Sequence, residues 1–300
     1  MLITMKNILQ VAEAKQCALG AFNTPNLECV IAVLSTAEKL NLPVIIQFAE
    51  VHEDLIPLKI MGPIMVALAE KSTVPVCVHL DHGTALAYLS EALKMGFTSV
   101  MYDGSGLEYH DNVANTCMAV EMASRCGASV EAEIGAIGRE EGSSLGDKAG
   151  NHVGNVTGES CYTDPDQARD FVTRTKIDAL ACSFGTVHGI YVTKPSLDFL
   201  RLSEIRTKVN IPLVMHGGSG ICADDYRECI SRGIRKINYY TYMSRNGGNY
   251  VKEKCASKGS EDVYFHDVVK WGIDAMARDI MSAMKVFSGL PHGVDNVTKE

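Results

Sequence analysis

The feature that most restricts the fold is a repeated alternation of short apolar runs with segments of helical periodicity. The runs are rich in Val, Ile and Ala and recur eight times: ALGAFN (18–23), PVIIQF (43–48), PVCVHLD (75–81), TSVMYD (98–103), SVEAEI (129–134), DALACSFG (178–185), IPLVMHG (211–217) and IRKIN (234–238). Continuous apolar strands that alternate with helices indicate parallel pairing in a sheet covered on both faces. Eight units predict an α/β fold, a (β/α)8 TIM barrel. A doubly wound open sheet is the alternative, and mainly the count separates the two.

The segments between the runs place apolar residues three and four positions apart, as an amphipathic helix does. Clear cases are 27–41, 85–96 and 111–127. The last two end at Gly96 and Gly127, and glycine is the usual residue at a helix C-terminal cap. These segments therefore predict helices that cover the sheet.

Length and charge narrow the class of protein. One domain over 1–300 is expected, because barrels of about 250 residues fold as a single unit. The net charge of −8 argues against nucleic acid or anionic membrane as a partner. Neither a signal peptide nor a run of roughly 18 apolar residues is found. The ten cysteines are scattered without a C-x-x-C pair, which is typical of a reducing cytosol, so a cytoplasmic location is expected.

Three histidines follow three different runs and suggest a metal site. Since active sites of barrels lie at the carboxyl ends of the strands, His82, His188 and His216 are expected on one rim. Three imidazoles that leave a fourth position open are typical of catalytic zinc. The alternative for each histidine alone is a hydrogen-bonded residue at a strand end. His79 shares a strand face with Asp81 and is assigned to the core beneath.

Glycine-rich turns follow the later runs, where barrels commonly bind phosphate. Backbone N–H groups approach an anion closely where no Cβ intervenes. The candidates are Gly189, Gly217, Gly218, Ser219, Asn238 and Thr241. A short Gly-Gly-Ser-Gly run is more often a plain turn, but here it directly follows a candidate metal ligand. Metal and phosphate are therefore expected to lie side by side.

Six motifs in order resemble one enzyme family. They are HLDHG (79–83), DGS (103–105), VEAEIGAIGREEG (130–142), FGTVHGIY (184–191), MHGGSG (215–220) and KINYYT (236–241). Together they closely resemble the class II fructose- and tagatose-bisphosphate aldolases and extend over most of the chain. The resemblance implies a zinc-dependent lyase that cleaves a ketose 1-phosphate or 1,6-bisphosphate, a small-molecule sugar phosphate, to dihydroxyacetone phosphate and an aldehyde.

The resemblance also implies a role for individual residues. Zinc, held by the three histidines, would polarise the ketose carbonyl, and Asp81 would exchange the proton of the C4 hydroxyl. Asp103 and Glu133 match positions that support the metal ligands or offer alternative ones. Glu141, on the long Gly- and Ser-rich loop at 138–162, would exchange the C3 proton, and closure of that loop would exclude water. Without the family, Glu140 and Glu141 would be interpreted as a solvated charge pair.

Further properties of the family are carried over as expectations. They include a monovalent cation near the phosphate and a homodimer or homotetramer. The segment 247–271 is either an exposed insertion or an interface, and the sequence does not choose between them.

Several positions depart from the family pattern and bear on the substrate. Ala49 and Glu50 stand where many relatives have Ser or Thr, and Tyr239 and Tyr240 stand where fructose-type enzymes have Asp. For the distal phosphate only two basic candidates exist in the C-terminal helix, Arg278 and Lys285. A further departure is Glu108, near the position of a usual Pro. A deoxy-sugar or sugar-acid 1-phosphate is therefore an alternative substrate.

Two other classes compete with an aldolase. A zinc hydrolase on the same barrel would use the open coordination position to activate water, but such hydrolases usually carry an H-x-H pair on the first strand or a bridging carboxylate. A non-catalytic sugar-phosphate binder predicts no dependence on zinc and leaves the Asp81–His82 adjacency without a purpose.

Overall fold

The structure is a computed structural model that describes residues 1–135, 137–139, 162–191 and 193–291. The strands within these residues are β1 (Leu19–Asn23), β2 (Val44–Ala49), β3 (Val76–Gly83), β4 (Ser99–Tyr102), β5 (Ser129–Ile134), β6 (Gly138–Arg139), β7 (Ala179–Cys182), β8 (Val187–His188), β9 (Leu213–Met215) and β10 (Ile234–Tyr239). Eight of them close into a barrel in the order β1, β10, β9, β7, β5, β4, β3, β2. All eight pairings are parallel, so the TIM-barrel prediction is confirmed and the open-sheet alternative is wrong.

Helices surround the barrel, and the three predicted segments, 27–41, 85–96 and 111–127, are each mostly helical. The helices are α1 (Met5–Lys15), α2 (Leu27–Leu40), α3 (Leu58–Lys71), α4 (Leu86–Lys94), α5 (Tyr109–Arg125), α6 (Pro165–Thr175), α7 (Phe199–Lys208), α8 (Ala223–Ser231), α9 (Thr241–Ser257) and α10 (Phe265–Ser288). Asn26 caps α2 by accepting a hydrogen bond from Cys29 N (3.0 Å). Gly96 and Gly127 have φ of 96° and 68°, the left-handed conformation that a C-terminal cap needs.

The apolar core has two parts on either side of the barrel wall. The outer part packs the strands against the helices. The inner part fills the lower barrel with residues such as Leu19, Ala21, Ile45 and Val214, and α1 closes it from below with Met5. The upper half of the interior is polar instead, and buried charged groups need partners there.

Helices α9 and α10 pack against each other and contain the segment whose role the sequence left open. Residues 248–273 are largely accessible to solvent, and Val263, Tyr264 and Phe265 at the turn between the helices are 37%, 59% and 80% exposed. The segment is thus a projecting helical hairpin with an aromatic tip.

Two further sequence-based expectations bear on the described residues. Within them, no helix has the length and apolar character needed to span a membrane. The nine cysteines that lie in these ranges are all free thiols.

Candidate functional site

A β-bulge at the end of β3 turns two successive side chains toward the barrel mouth. The register with β4 changes from Leu80 opposite Val100 to Gly83 opposite Tyr102, so β3 carries one extra residue. His82 adopts φ of 51°, an uncommon conformation for a residue other than glycine. Neighbouring residues on a regular strand face opposite sides. The bulge therefore explains how Asp81 and His82 both reach one site.

The three predicted histidines converge above the barrel. One ligand atom from each of His82, His188 and His216 lies within 4.8 Å of the others. The ring centroid of His82 lies 5.2 Å from that of His188 and 4.6 Å from that of His216. His188 lies on β8, which pairs with β6 in a small second sheet. This sheet, rather than a barrel strand, positions the His188 backbone. Three strand ends thus contribute one imidazole each.

Carboxylates behind two of the rings determine which nitrogens face the centre. His82 Nδ1 lies 2.7 Å from Asp103 Oδ2, and His216 Nε2 lies 2.8 Å from Glu131 Oε1. A carboxylate takes the ring N–H, which leaves a lone pair on the other nitrogen. His82 Nε2 and His216 Nδ1 are those other nitrogens, and they are only 2.9 Å apart. Two lone pairs at this distance repel unless a proton or a cation lies between them.

The charge around the histidines also fits a metal ion. His82, Asp103 and Glu133 form a second group whose ligand atoms lie within 4.8 Å. Glu133 Oε2 is buried and has no hydrogen-bond partner among the described residues. Burial alone lowers the pKa of His82, but the nearby carboxylates of Asp81, Asp103 and Glu133 outweigh burial and raise it to about 10. The donor set, imidazoles supported by carboxylates, is the one that zinc prefers.

Asp81 is buried at the centre of an amide network. Its Oδ2 accepts hydrogen bonds from Asn23 Nδ2 (2.9 Å) and Gln47 Nε2 (3.1 Å), and its Oδ1 accepts one from Asn238 Nδ2 (3.0 Å). Burial raises the pKa of Asp81, but the charges of His82, His216 and Lys236 and the Asn23 hydrogen bond outweigh burial and hold it below the usual value. Asp81 is therefore an ionised carboxylate at neutral pH.

Four partners of these groups carry no role in the sequence-based prediction. They are Asn23, Gln47, Glu131 and Lys236, which lie on β1, β2, β5 and β10 and point into the barrel. The signal available in the sequence was alternation, because polar residues two positions apart on a buried strand share one face. His79 shows the same pattern, and its assignment to the core is confirmed. It is fully buried, with Nδ1 2.9 Å from Ser99 Oγ.

The glycine-rich turns lie beside the histidine cluster. A Cβ on Gly217 would come within 2.3 Å of Val187 O, so the turn after β9 lies directly against β8. A Cβ on Gly218 would lie 2.7 Å from Asn238 O, so the turn after β9 also lies against the end of β10. Ser219 Oγ accepts a hydrogen bond from Tyr240 N (3.0 Å), just before the first residue of α9, Thr241.

The remaining predicted residues fall in different places. Gly189 directly follows β8, with a positive φ of 107°. Asn238 is buried, and its side chain faces Asp81 rather than the open rim. Glu141 lies outside the described residues, as does most of the predicted loop.

Two of the departures from the family pattern, Ala49 and Tyr240, lie at the mouth of the barrel. Ala49 pairs with Asp81, and the next turn brings the His52 ring to 5.1 Å from the Tyr240 ring. Burial lowers the pKa of His52 to about 4, so it is neutral at pH 7. Tyr239 faces the outer core, where its ring contacts Phe22.

The basic candidates in the C-terminal helix have other neighbours. The guanidinium of Arg278 lies 4.6 Å from the ring centroid of Tyr250 on α9, so it packs against the neighbouring helix of the hairpin. Lys285 is half-buried in the last turns of α10.

Comparison with known proteins agrees with this geometry. The model of the family described as "Fructose-bisphosphate aldolase class-II" matches residues 3–290. The chain is 38% identical over 263 residues to the Bacillus subtilis (strain 168) protein named "Probable fructose-bisphosphate aldolase", covering 87% of this chain and 88% of that protein.

Solved structures give the same result. The crystal structure of the YdjI aldolase from Escherichia coli K12 has a TM-score of 0.83 and 32% identity and covers 96% of this chain and 97% of that one. Fructose-bisphosphate aldolase from Campylobacter jejuni has a TM-score of 0.77 at 23% identity, covering 95% of each chain, and supports the fold alone.

Proposed function

The chain belongs to the class II fructose-bisphosphate aldolase family, and from that premise we propose which substrate it cleaves and which residues act. It is an aldolase, a lyase that breaks a carbon–carbon bond, and its family is generally zinc-dependent. The hydrolase and binding-protein alternatives are set aside because the family match extends over nearly the whole chain. We propose that the substrate is a ketose 1-phosphate or 1,6-bisphosphate, cleaved between C3 and C4 to dihydroxyacetone phosphate and an aldehyde.

The convergence of His82, His188 and His216 is the observation that carries the proposal. They would hold zinc, with Asp103 and Glu131 orienting two of the rings. Glu133 is the remaining buried carboxylate beside them and offers an alternative ligand position. When bound, zinc supplies a Lewis acid that polarises a carbonyl oxygen and stabilises negative charge.

Asp81 is the proposed acid–base group. As an ionised carboxylate it takes the proton of the C4 hydroxyl while the C3–C4 bond breaks, and it returns the proton during condensation. Three amide hydrogen bonds hold the carboxylate in place, so no reorientation is needed when the proton transfers. Glu141 is proposed from the sequence alone to exchange the C3 proton.

The glycine turns are the proposed site of the C1 phosphate. Gly189, Gly217, Gly218 and Ser219 present backbone N–H groups, and α9 begins beside them at Thr241 without a side-chain cap from Tyr240. The uncapped first turn of a helix favours an anion. Asn238 completes the wall between phosphate and acid–base group. A monovalent cation near the phosphate is part of the same proposal.

Replacing Gly217 tests the phosphate site. Gly217→Ala is expected to weaken binding of the phosphorylated substrate roughly tenfold or more, because the new Cβ displaces the turn from Val187 and charge-assisted hydrogen bonds contribute about 1.5–3 kcal/mol each. Gly127→Ala is the matched control, since Gly127 also has positive φ but no atom lies within 4 Å of its Cβ position. Both variants should lose about 1–2 kcal/mol of stability from the backbone conformation. An unchanged KM in Gly217→Ala would contradict the assignment.

The residues described on the aldehyde side of the site favour a substrate whose distal end is not bound through a strong phosphate contact. Ala49 and Tyr240 stand where relatives present hydroxyl or carboxylate groups, the neutral His52 ring lies against Tyr240, and the Arg278 guanidinium lies against the Tyr250 ring. These residues offer hydrogen bonds and ring surfaces rather than positive charge. Deoxy-sugar and sugar-acid 1-phosphates therefore stand beside fructose and tagatose bisphosphates as candidates.

A substrate panel decides between these candidates. Purified protein is assayed for dihydroxyacetone phosphate release from fructose 1,6-bisphosphate, tagatose 1,6-bisphosphate and ketose and sugar-acid 1-phosphates, with and without EDTA. Chelator-sensitive release is expected and identifies the aldehyde. No release from any substrate, by protein that contains zinc, would contradict the proposed reaction.

A homodimer or homotetramer is proposed, supported by the aromatic tip of the α9–α10 hairpin. Large exposed apolar side chains commonly mark interfaces. Tyr264→Ser with Phe265→Ser is expected to shift the protein to a smaller species in analytical ultracentrifugation. Leu200→Ser is the control, because Leu200 is 70% exposed on α7, elsewhere on the surface. Unchanged assembly of the double variant would place the interface elsewhere.

We also propose that 1–300 forms a single domain and that the protein acts in the cytoplasm. The closed barrel supports the first statement. The nine free thiols support the second, because disulfides form mainly in oxidising compartments.

A further inference from the structure

A buried lysine connects the two halves of the proposed catalytic site. Lys236 lies on β10 inside the barrel, and its side chain is fully buried. Its Nζ lies 2.9 Å from Glu131 Oε2 and donates a hydrogen bond to Asn238 Oδ1 (2.7 Å). A buried ammonium is costly unless it is paired and hydrogen-bonded, and these two contacts are its compensation.

Each contact of Lys236 leads to a different functional group. Glu131 uses its other oxygen, Oε1, to accept from His216 Nε2 (2.8 Å). Asn238 uses its other amide atom, Nδ2, to donate to Asp81 Oδ1 (3.0 Å). One residue thus separates Lys236 from each group: Glu131, its ion-pair partner, from a proposed metal ligand, and Asn238, its hydrogen-bond partner, from the proposed acid–base group.

Hydrogen-bond chemistry makes Lys236 select one orientation of Asn238. A lysine ammonium only donates, so it must face the amide oxygen of Asn238. The amide nitrogen is then left to face Asp81, where a carboxylate only accepts. A flipped amide would place its oxygen against the carboxylate and its N–H against the ammonium, and both contacts would be repulsive.

The same chemistry applies at Glu131. The Lys236 ammonium pairs with Oε2 of Glu131, so the other oxygen, Oε1, is left to accept the N–H of His216. That contact turns His216 Nδ1 toward His82 and the centre of the histidine cluster. His79 lies next to the pair, with Nε2 3.6 Å from Glu131 Oε2, and fills the remaining space.

We infer that Lys236, through Glu131 and Asn238, is a positioning residue that aligns the metal ligand His216 with the acid–base carboxylate Asp81. The inference rests on the roles proposed above for those two residues. The contacts of the Lys236 ammonium are with Glu131 and Asn238 rather than with the histidines or Asp81. Its function is to couple two orientations that would otherwise be independent.

The first test compares two buried cations on the same strand. Lys236→Met removes the proposed positioning residue. Arg235→Met is the matched control, because Arg235 is equally buried but faces the other way, toward Glu13 (3.0 Å) and Gln16 (3.0 Å) of the α1 end. Both variants lose a buried charge and should lose stability. Only the first should change the site.

The readouts separate positioning from folding. Lys236→Met is expected to weaken zinc affinity, measured by chelator competition, by roughly 10- to 100-fold, as loss of a group that supports a metal ligand does. The visible absorption of the Co2+-substituted protein should change, and kcat should fall with KM within a few-fold. Arg235→Met should keep the wild-type spectrum, zinc affinity and kcat. A wild-type spectrum and kcat in Lys236→Met, or equal changes in both variants, would overturn the inference.

A second pair of variants covers the case in which Lys236→Met fails to fold. Glu131→Gln with Lys236→Met leaves no unpaired buried charge, and its control, Glu13→Gln with Arg235→Met, removes a pair on the opposite face. Because Glu131 itself contacts His216, Glu131→Gln alone is the reference for the first variant. A Co2+ spectrum and kcat that change further in the double variant than in Glu131→Gln support the inference, and equal values in the two overturn it. If wild-type protein lacks aldolase activity, the proposed function fails, while the spectrum and zinc affinity still test Lys236.

Discussion

Replacement of Asp81 by Asn is expected to reduce kcat for dihydroxyacetone phosphate release by about 10²- to 10⁴-fold, the usual contribution of a general acid–base group. The amide has nearly the same size as the carboxylate but cannot take a proton at neutral pH. Since Asp81 is not one of the grouped candidate ligands, zinc content should remain at the wild-type level. The measurement is a steady-state assay on protein of determined zinc content.

Two features make this variant informative. Asn23, Gln47 and Asn238 all donate to Asp81, so the NH2 group that Asn introduces costs at least one of these hydrogen bonds, while the size of the side chain is kept. Asp81→Ala serves as a second variant that removes every hydrogen bond. If Asp81→Asn cleaved within a few-fold of wild type while zinc-loaded, the acid–base role would belong to another residue.

Replacement of His188 by Ala is expected to abolish both tight zinc binding and cleavage. Loss of one of three imidazoles leaves too few donors for a tetrahedral site. His188 is the best of the three histidines to replace because it is half-exposed on β8, whereas His216 is fully buried against Glu131. Its removal should therefore affect the metal far more than the barrel.

The check is zinc content by atomic absorption alongside a thermal unfolding curve. His110→Ala is the control, since His110 is exposed on α5, its ring lies against Tyr109, and it belongs to neither group of candidate ligands. Full zinc stoichiometry in His188→Ala would mean that Asp103 and Glu133 with His82 form the principal site.

All eight barrel strands were predictable from apolar runs, because a buried parallel strand needs apolar residues on both faces. The rim was predictable as well, since carboxyl ends of parallel strands meet at one edge. The β-bulge at His82 was not, because regular alternation predicts that His82 faces away from Asp81. The convergence of the three histidines was predicted from their places at the strand ends, an argument that does not depend on which face of β3 carries His82.

The support beneath the site was the part that sequence reasoning missed. Lys236 and Glu131 come from strands about one hundred residues apart, and nothing local indicates that they pair. The placement of Asn238 against Asp81 depends on barrel closure for the same reason. Contacts between strands of a closed barrel can be predicted only when the strand register is known. The register between β3 and β4 contains a bulge that the sequence does not reveal.

Barrel closure has a consequence for synthesis of the chain. The first barrel strand pairs with the last one described, Ala21 opposite Asn238, so hydrogen bonds to Asp81 come from both of these strands. A nascent chain that ends before residue 238 lacks one wall of the active site, however well its earlier units have folded. Aldolase activity is therefore expected only from chains in which the last barrel strand has formed. Proteolytic fragments or stalled chains that lack it should have no activity.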